Sequence, residues 1–480
     1  MQYRSVLFSS IHVALIHQVK SFALLKRAAS SATDSSLFLS TGPDDLPEFS
    51  SKEEYLKFLD ERGSLPKGFR CGTASGTFIP VEAPAMGALP IKGTVIALDE
   101  PTDSWAAVFT KNKFPGSPIK VGRRRLSGGS PLQALVINNK VSNVCSGGDG
   151  EADSEMVCEA VANGLNLSGG ALSVLPSSTG VIGWRLPAKE LCDIVPKAIE
   201  NLMDDTALDA ATAIMTTDRY PKLRSYEVSN GGRVVGIAKG AGMIEPNMAT
   251  MLSYIMTDVS ISKSELQSML DEIVGDSFNS ISVDGDESTS DTVAVVSSNQ
   301  LPLEDKNEFK EALAHVCQGL STDIVRNGEG TSHVMKVKVT CFPGSNDDAR
   351  RLAKQVVNSP LFKCAVSGND PNTGRLAGAV GSFLGKLDDF EDSSTKKMTM
   401  TLGDRIIFKM GKFVLEGDEV EMELSNHMKD AGFGEHDEYP THQKFVEIGI
   451  NFGGVGKGKA TVYGSDLTKE YVAVNADYRS

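Results

Sequence analysis

The sequence predicts a layered α/β protein, with a large body of strands and amphipathic helices over 66–344 followed by a smaller mixed α/β domain over 345–480. Three observations carry that prediction. Short β-branched apolar runs recur along the chain, each bounded by Gly, Asn or Asp. Apolar residues at helical spacing lie between them. The tetrapeptide Pro343-Gly344-Ser345-Asn346 interrupts this pattern and marks the expected boundary. At 480 residues and 40% hydrophobic content, the chain is long enough to build two or three cores.

Residues 1–33 differ from the rest. They carry Arg4, Lys20, Lys26 and Arg27, many serines and no acid, with an apolar set that includes Leu7, Ile11, Leu15, Phe22 and Leu25. That is the composition of an organellar transit peptide, with the mitochondrial matrix as first reading and the plastid as alternative. His12, His17 and Lys20 break the apolar stretch before it reaches the roughly 20 residues of a spanning helix, so no membrane anchor is expected. A polar linker and a short charged helix over 53–62 occupy 34–65. In the body, strands are predicted at 93–98, 105–110, 132–138, 234–238, 252–259, 292–297 and 334–340, and beyond the boundary at 405–415 and 445–452. Helices are predicted from the apolar periods over 191–202 and 266–273, the second opened by Ser262 and Glu265 at capping-box spacing. A third runs over 347–357, with Pro360 just past its end.

Charge and cysteine usage exclude several function classes. With 48 Lys+Arg against 62 Asp+Glu, the formal charge of -14 disfavours nucleic acid as a partner. The basic run Arg123-Arg124-Arg125 precedes Leu126-Ser127-Gly128-Gly129 and reads as a solvated loop. Seven cysteines without a CxxC pair argue against zinc or a disulfide framework, leaving reduced and mostly buried thiols. His436 and His442 sit in an acidic loop without metal-ligand spacing, and no metal or bound cofactor is expected.

The stretch that carries chemistry is Lys239-Gly240-Ala241-Gly242-Met243-Ile244-Glu245-Pro246-Asn247-Met248-Ala249-Thr250-Met251-Leu252. It sets a Gly- and Pro-containing turn directly before a strand. A hydroxyl at such a junction, preceded by the small Ala249, can be strained onto its own preceding carbonyl, permitting an N-to-O acyl shift and release of an N-terminal threonine. That terminus would join a nucleophilic hydroxyl to an α-amine base titrating near 7.7 to 8.0. By composition alone, an ordinary turn entering a strand is the alternative.

The string from Lys239 to Leu252 resembles the signature of the ornithine acetyltransferase family, the glutamate N-acetyltransferases of arginine biosynthesis, here in a eukaryotic organellar form. Further matches fall in register at Ala106-Ala107-Val108-Phe109-Thr110, Ser177-Ser178-Thr179-Gly180-Val181-Ile182-Gly183, Ala213-Ile214-Met215-Thr216-Thr217-Asp218 and Val283-Asp284-Gly285-Asp286. They continue at Asn327-Gly328-Glu329-Gly330, Asp370-Pro371-Asn372, Gly374-Arg375 and Asn475-Ala476-Asp477-Tyr478-Arg479-Ser480. The resemblance implies an ArgJ/DmpA-like sandwich cut between Ala249 and Thr250, giving an alpha chain to 249 and a beta chain over 250–480, assembled as two of each. It implies Thr250 as nucleophile, Thr179 and Gly180 as oxyanion hole, and Thr216, Lys239, Thr250, Glu329, Asn475 and Ser480 as substrate contacts.

The implied reaction moves acetyl from N-acetylornithine to glutamate through an acetyl-Thr250 intermediate, with acetyl-CoA as a possible second donor. An N-terminal-nucleophile aminopeptidase or amidase is the alternative enzyme. Ala241, Thr373, Glu287 and Ser290 stand where the family often has Ser, Trp, Thr and Asn. These departures bear on pocket shape rather than on the nucleophile.

Overall fold

Apolar runs without alternation require strands covered on both faces, and the computed structural model of the chain shows how this is met. It describes residues 46–245, 251–387, 390, 392–454 and 456–477. The expected leader over 1–33, Ala249, Thr250 and Ser480 lie outside the described residues.

In chain order the strands are β1 (Phe69–Phe78), β2 (Leu89–Thr102), β3 (Trp105–Phe109), β4 (Leu132–Asn138), β5 (Val174–Ser178), β6 (Lys222–Glu227), β7 (Arg233–Lys239) and β8 (Leu252–Val259). They continue as β9 (Ile281–Ser282), β10 (Thr292–Leu301), β11 (Val334–Phe342), β12 (Thr399–Leu402), β13 (Arg405–Lys409), β14 (Lys412–Phe413), β15 (Val446–Asn451) and β16 (Gly458–Ser465). The helices are α1 (Lys52–Arg62), α2 (Ser117–Gly128), α3 (Gly150–Leu165), α4 (Ala188–Glu200), α5 (Leu208–Ala213) and α6 (Lys263–Asp276). After them come α7 (Lys306–Arg326), α8 (Asn346–Val357), α9 (Pro360–Ser367), α10 (Thr373–Leu384), α11 (Asp418–Asp430) and α12 (Lys469–Asp477).

Three sheets form, in the orders β1-β2-β4-β5, β3-β10-β8-β7-β6 and β14-β13-β12-β15-β11-β16-β9. The first two pack face to face. Ile96 and Leu98 of β2 meet Tyr254 and Met256 of β8 and Ala294 and Val296 of β10 in one core. The intervening residues point the other way, as the two-residue period of a strand demands. Val95 and Ala97 face Val157 of α3 and Leu191 of α4, while Ile255, Val293 and Val295 face Leu266 of α6 and Leu313 of α7. The body is thus helix, sheet, sheet, helix, which is the mixed layered α/β class expected.

Helix α7 is covered again on its far side by Val334 and Phe445 of the third-sheet region. Almost every residue of its last two turns is buried, because a helix between two sheets has no solvent face. The third sheet's other face is closed by Leu352 and Val356 of α8, Phe362 of α9, Val380 of α10 and Leu424 of α11. Gly344 lies in the turn between β11 and α8, and β11 itself pairs with β15 and β16. Strands from both sides of that turn therefore share one sheet.

Three sequence expectations are corrected here. Arg123, Arg124 and Arg125 are not a loop; they lie within α2, which starts at Ser117-Pro118 and presents Ile119, Val121 and Gly122 inward. Arg125 is buried, donating to the Val174 carbonyl at 2.7 Å and to Glu155 at 2.6 Å. The 405–415 run is a hairpin rather than one strand, because Met410 and Gly411 turn the chain with φ of 54° and 78°. The thiols are free, but only Cys71, Cys158 and Cys317 are buried.

Candidate active site

One polar cavity has two walls built at strand ends and a third built where α7 ends and α12 docks. Its lining includes Ser142, Thr179, Gly180, Thr216, Lys239, Ser290, Glu329 and Asn475. Six of the residues expected from sequence are therefore together: Thr179, Gly180, Thr216, Lys239, Glu329 and Asn475.

The first wall is built where the chain leaves β4 and β5. Thr179 N–H donates to the Asn138 carbonyl at 3.1 Å, and Val181 N–H to the Lys140 carbonyl at 2.8 Å. Between them Gly180 has φ +124°, and a Cβ there would lie 2.2 Å from the Lys140 carbonyl carbon. Only glycine fits such a close approach in that conformation. The Ser142 hydroxyl donates to the Gly180 carbonyl, fixing the peptide's direction. Among the described residues, neither the Thr179 hydroxyl nor the Gly180 N–H has a hydrogen-bond partner. Both donors are left over at the cavity wall.

Opposite them, β7 ends at Lys239, whose ammonium lies 3.5 Å from the Thr216 hydroxyl. Burial pulls this lysine below the ordinary range, against the opposing pull of Asp218. Asp218 is the hub beneath. It accepts from Lys222, from Gly240 N–H at 2.8 Å and from Thr216 N–H at 2.9 Å. Burial alone would raise its carboxyl, but Lys222 and then Lys239 outweigh it and hold the group at about 2. Asp291, buried behind Ser288 and Thr110, is driven the other way: desolvation raises it well above the carboxylate range. Two buried acids shifted in opposite directions thus flank one lysine.

The third wall joins Glu329 to the C-terminal helix. Asn475 Nδ2 donates to Glu329 Oε2 at 3.0 Å. Glu329 lies so close to Gly242 that a Cβ there would be 2.3 Å from Oε2. Helix α12 is docked rather than frayed, with Thr468 donating to the Gly330 carbonyl at 2.6 Å and Tyr471 N–H donating to Thr468 Oγ1 at 3.1 Å. Of the four departures from the family pattern, only Ser290 lines the cavity. Its hydroxyl is buried with no partner among the described residues.

Both flanks of 246–250 are tied to this site. Asp284 accepts the N–H groups of Met243 and Ile244, each at 2.7 Å, and the Tyr471 hydroxyl at 3.3 Å. Glu245 N–H donates to the Asp286 carbonyl at 3.0 Å. On the other flank the Met251 carbonyl accepts from Thr292 N–H at 3.0 Å, and Leu252 stands opposite Lys239 in the β7–β8 ladder. Met243 adopts φ 56°, unusual for a side chain of its size.

Asp218, Lys222, Asp284 and Tyr471 were not singled out as site residues from sequence. Asp218 and Asp284 do stand inside the motifs, but their roles depend on burial and on backbone donors from distant segments. Among the described residues no cluster of His, Cys, Asp or Glu is arranged to hold a metal ion, and no helix is long and apolar enough to cross a membrane.

These features define a layered α/β protein with a polar cleft at its strand ends, lined by a lysine, a carboxylate and uncommitted hydroxyl and N–H donors. The chain belongs to the ArgJ family, whose family model matches residues 90–480. It is 35% identical over 415 residues to arginine biosynthesis bifunctional protein ArgJ 2 of Clostridium acetobutylicum, covering 86% of this chain and 98% of that protein. Against the ArgJ protein of Bartonella quintana it is 37% identical over 398 residues, covering 80% and 90%. Among solved structures, ArgJ of Bacillus halodurans is 31% identical with a TM-score of 0.40, covering 47% of this chain and 98% of that chain. Ornithine acetyltransferase of Mycobacterium tuberculosis complexed with ornithine is 34% identical with a TM-score of 0.34, covering 39% and 96%.

Proposed function

We propose that the chain is an acetyltransferase of arginine biosynthesis that cuts itself between Ala249 and Thr250 and then moves acetyl from N2-acetyl-L-ornithine to L-glutamate. Support comes from family membership and, above all, from one observation: Thr179, Gly180, Thr216, Lys239, Glu329 and Asn475, drawn from five separate segments, line one cavity beside the anchored flanks of 246–250.

In this reading the Thr250 hydroxyl attacks the acetyl carbonyl while its own α-amine takes the proton. The Thr179 hydroxyl and Gly180 N–H, both uncommitted, stabilise the tetrahedral oxyanion. Ornithine leaves with the proton, and the glutamate amine then attacks the Thr250 ester. Lys239 holds a substrate carboxylate, and Glu329, oriented by Asn475, meets the ornithine ammonium. Thr216 and Ser480 complete the contacts. The name "bifunctional" borne by the relatives supports acetyl-CoA as a second acetyl donor. The fragments stay associated, two of each, and the basic leader directs the protein to the mitochondrion, with the plastid as alternative.

The test has two arms. Intact-mass measurement is expected to find a fragment beginning at Thr250, and Thr250→Ala to give one uncut, inactive chain; a fully active uncut wild-type chain overturns the maturation step. With N-acetylornithine as donor, glutamate is expected to become acetylated. Release of acetate without acetylglutamate would instead identify an amidase.

A further inference from the structure

Among the described residues, β14 is the outer strand of the seven-stranded sheet, and the segment it opens is self-complementary. Lys412-Phe413-Val414-Leu415-Glu416 reads as cation, three apolar residues, anion. Phe413 and Val414 are each 43% exposed and Leu415 is 37% exposed. Lys412 and Glu416 are also exposed, and neither has an ion-pair partner among the described residues.

Backbone geometry sets which groups face outward. The two-residue turn at Met410-Gly411 pairs Lys409 with Lys412, and Val414 N–H donates back to the Ile407 carbonyl at 3.0 Å. In an antiparallel ladder these inward bonds alternate with outward ones. The N–H and C=O groups of Phe413 therefore point away from β13, and an extended continuation of the strand past Val414 would turn those of Leu415 the same way.

We propose that this edge pairs with the same edge of a second copy of the chain, antiparallel about a twofold axis at Val414. That register sets Phe413 opposite Leu415 of the other copy, so their outward N–H and C=O groups meet as hydrogen-bonded pairs. The same register sets Lys412 opposite Glu416. Backbone, apolar and charge complementarity all select one alignment, as a twofold contact requires. An exposed apolar edge strand is otherwise an aggregation hazard. Exposed Ile406, Met410 and Met422, on β13, its turn and α11, add apolar surface in the neighbouring elements.

Sedimentation velocity on the full chain, over micromolar concentrations and two salt levels, tests the pairing. Wild type is expected to be dimeric or larger. Lys412→Glu, which faces an anion with an anion, is expected to raise the dissociation constant of that contact at least tenfold. Lys412→Glu with Glu416→Lys restores it, which a merely misfolded hairpin would not. Leu415→Pro, removing an outward N–H while leaving the Val414 bond, also weakens pairing with an unchanged Tm. The uncut Thr250→Ala chain pairs like wild type, so the contact is judged separately from the acetyl-transfer reading. A wild type that sediments as one copy throughout, or a single variant that dissociates no more readily than the double, overturns the proposal.

Discussion

Replacing Asp284 should uncouple the turn before Ala249 from the rest of the site. Its carboxylate accepts Met243 N–H and Ile244 N–H, each at 2.7 Å, and these are the last backbone donors it holds before residues 246–250. Hydrogen bonds to a charged group are worth about 1.5–3 kcal/mol each, so Asp284→Ala removes about 3–6 kcal/mol of restraint. Water recovers part of this, since Met243 is 40% exposed. In the proposed self-cleavage, a residual loss of about 3 kcal/mol at the cleaving geometry would slow the reaction by roughly a hundredfold. Asp284→Asn keeps one acceptor but turns a donor toward the second N–H, and should also be slow. Tyr471→Phe, which loses only the 3.3 Å hydroxyl bond, should cost less than about tenfold. The assay is the time course of fragment appearance by intact mass, with Tm measured alongside. Cleavage of Asp284→Ala at the wild-type rate would refute the restraint.

Thr179→Ala should leave cleavage products detectable but lower kcat for acetyl transfer by roughly a hundredfold, the usual loss for one oxyanion donor; unchanged kcat would remove Thr179 from that role. Lys222→Met strands a buried carboxylate and should destabilise the fold by about 3–5 kcal/mol in urea titrations. Lys222 lies outside the cavity lining, so a loss of activity without loss of stability would contradict this. The pH dependence follows from Asp218, held at about 2 when folded against about 3.9 when unfolded. Its contribution is present above about pH 4 and lost as pH falls toward 2, at most about 2.6 kcal/mol. Unfolding free energy measured from pH 5 to 2 should decline accordingly.

Several elements were legible because their signals are local. β4 and β8 match the predicted 132–138 and 252–259, and α6 opens where Ser262 accepts from Glu265 N–H at 3.3 Å. β1 escaped notice because Gly72, Ala74 and Gly76 give it little apolar content, although it lies beneath α4. Helix α7 was missed although Phe309, Ala312, Leu313, Val316 and Leu320 keep a helical period; only its last two turns, buried all round, lose the single apolar stripe. Arg125 was misassigned because a charged residue in a basic run gives no sign that Glu155 and the Val174 carbonyl await it.

The sequence by itself determined the layered class, since strand and helix periods are properties of neighbouring residues, and its motifs singled out the residues of the proposed chemistry. It could not determine how those residues combine. Only the tertiary structure decided that the ends of β4, β5 and β7 open on one cavity, that Asp218 is a charged hub rather than a surface acid, and that α12 closes the wall through Asn475 and Glu329. The physical reason is that burial, and the meeting of Asn475 with Glu329 from 146 residues away, are properties of the whole fold. No window of sequence contains both halves of such a contact.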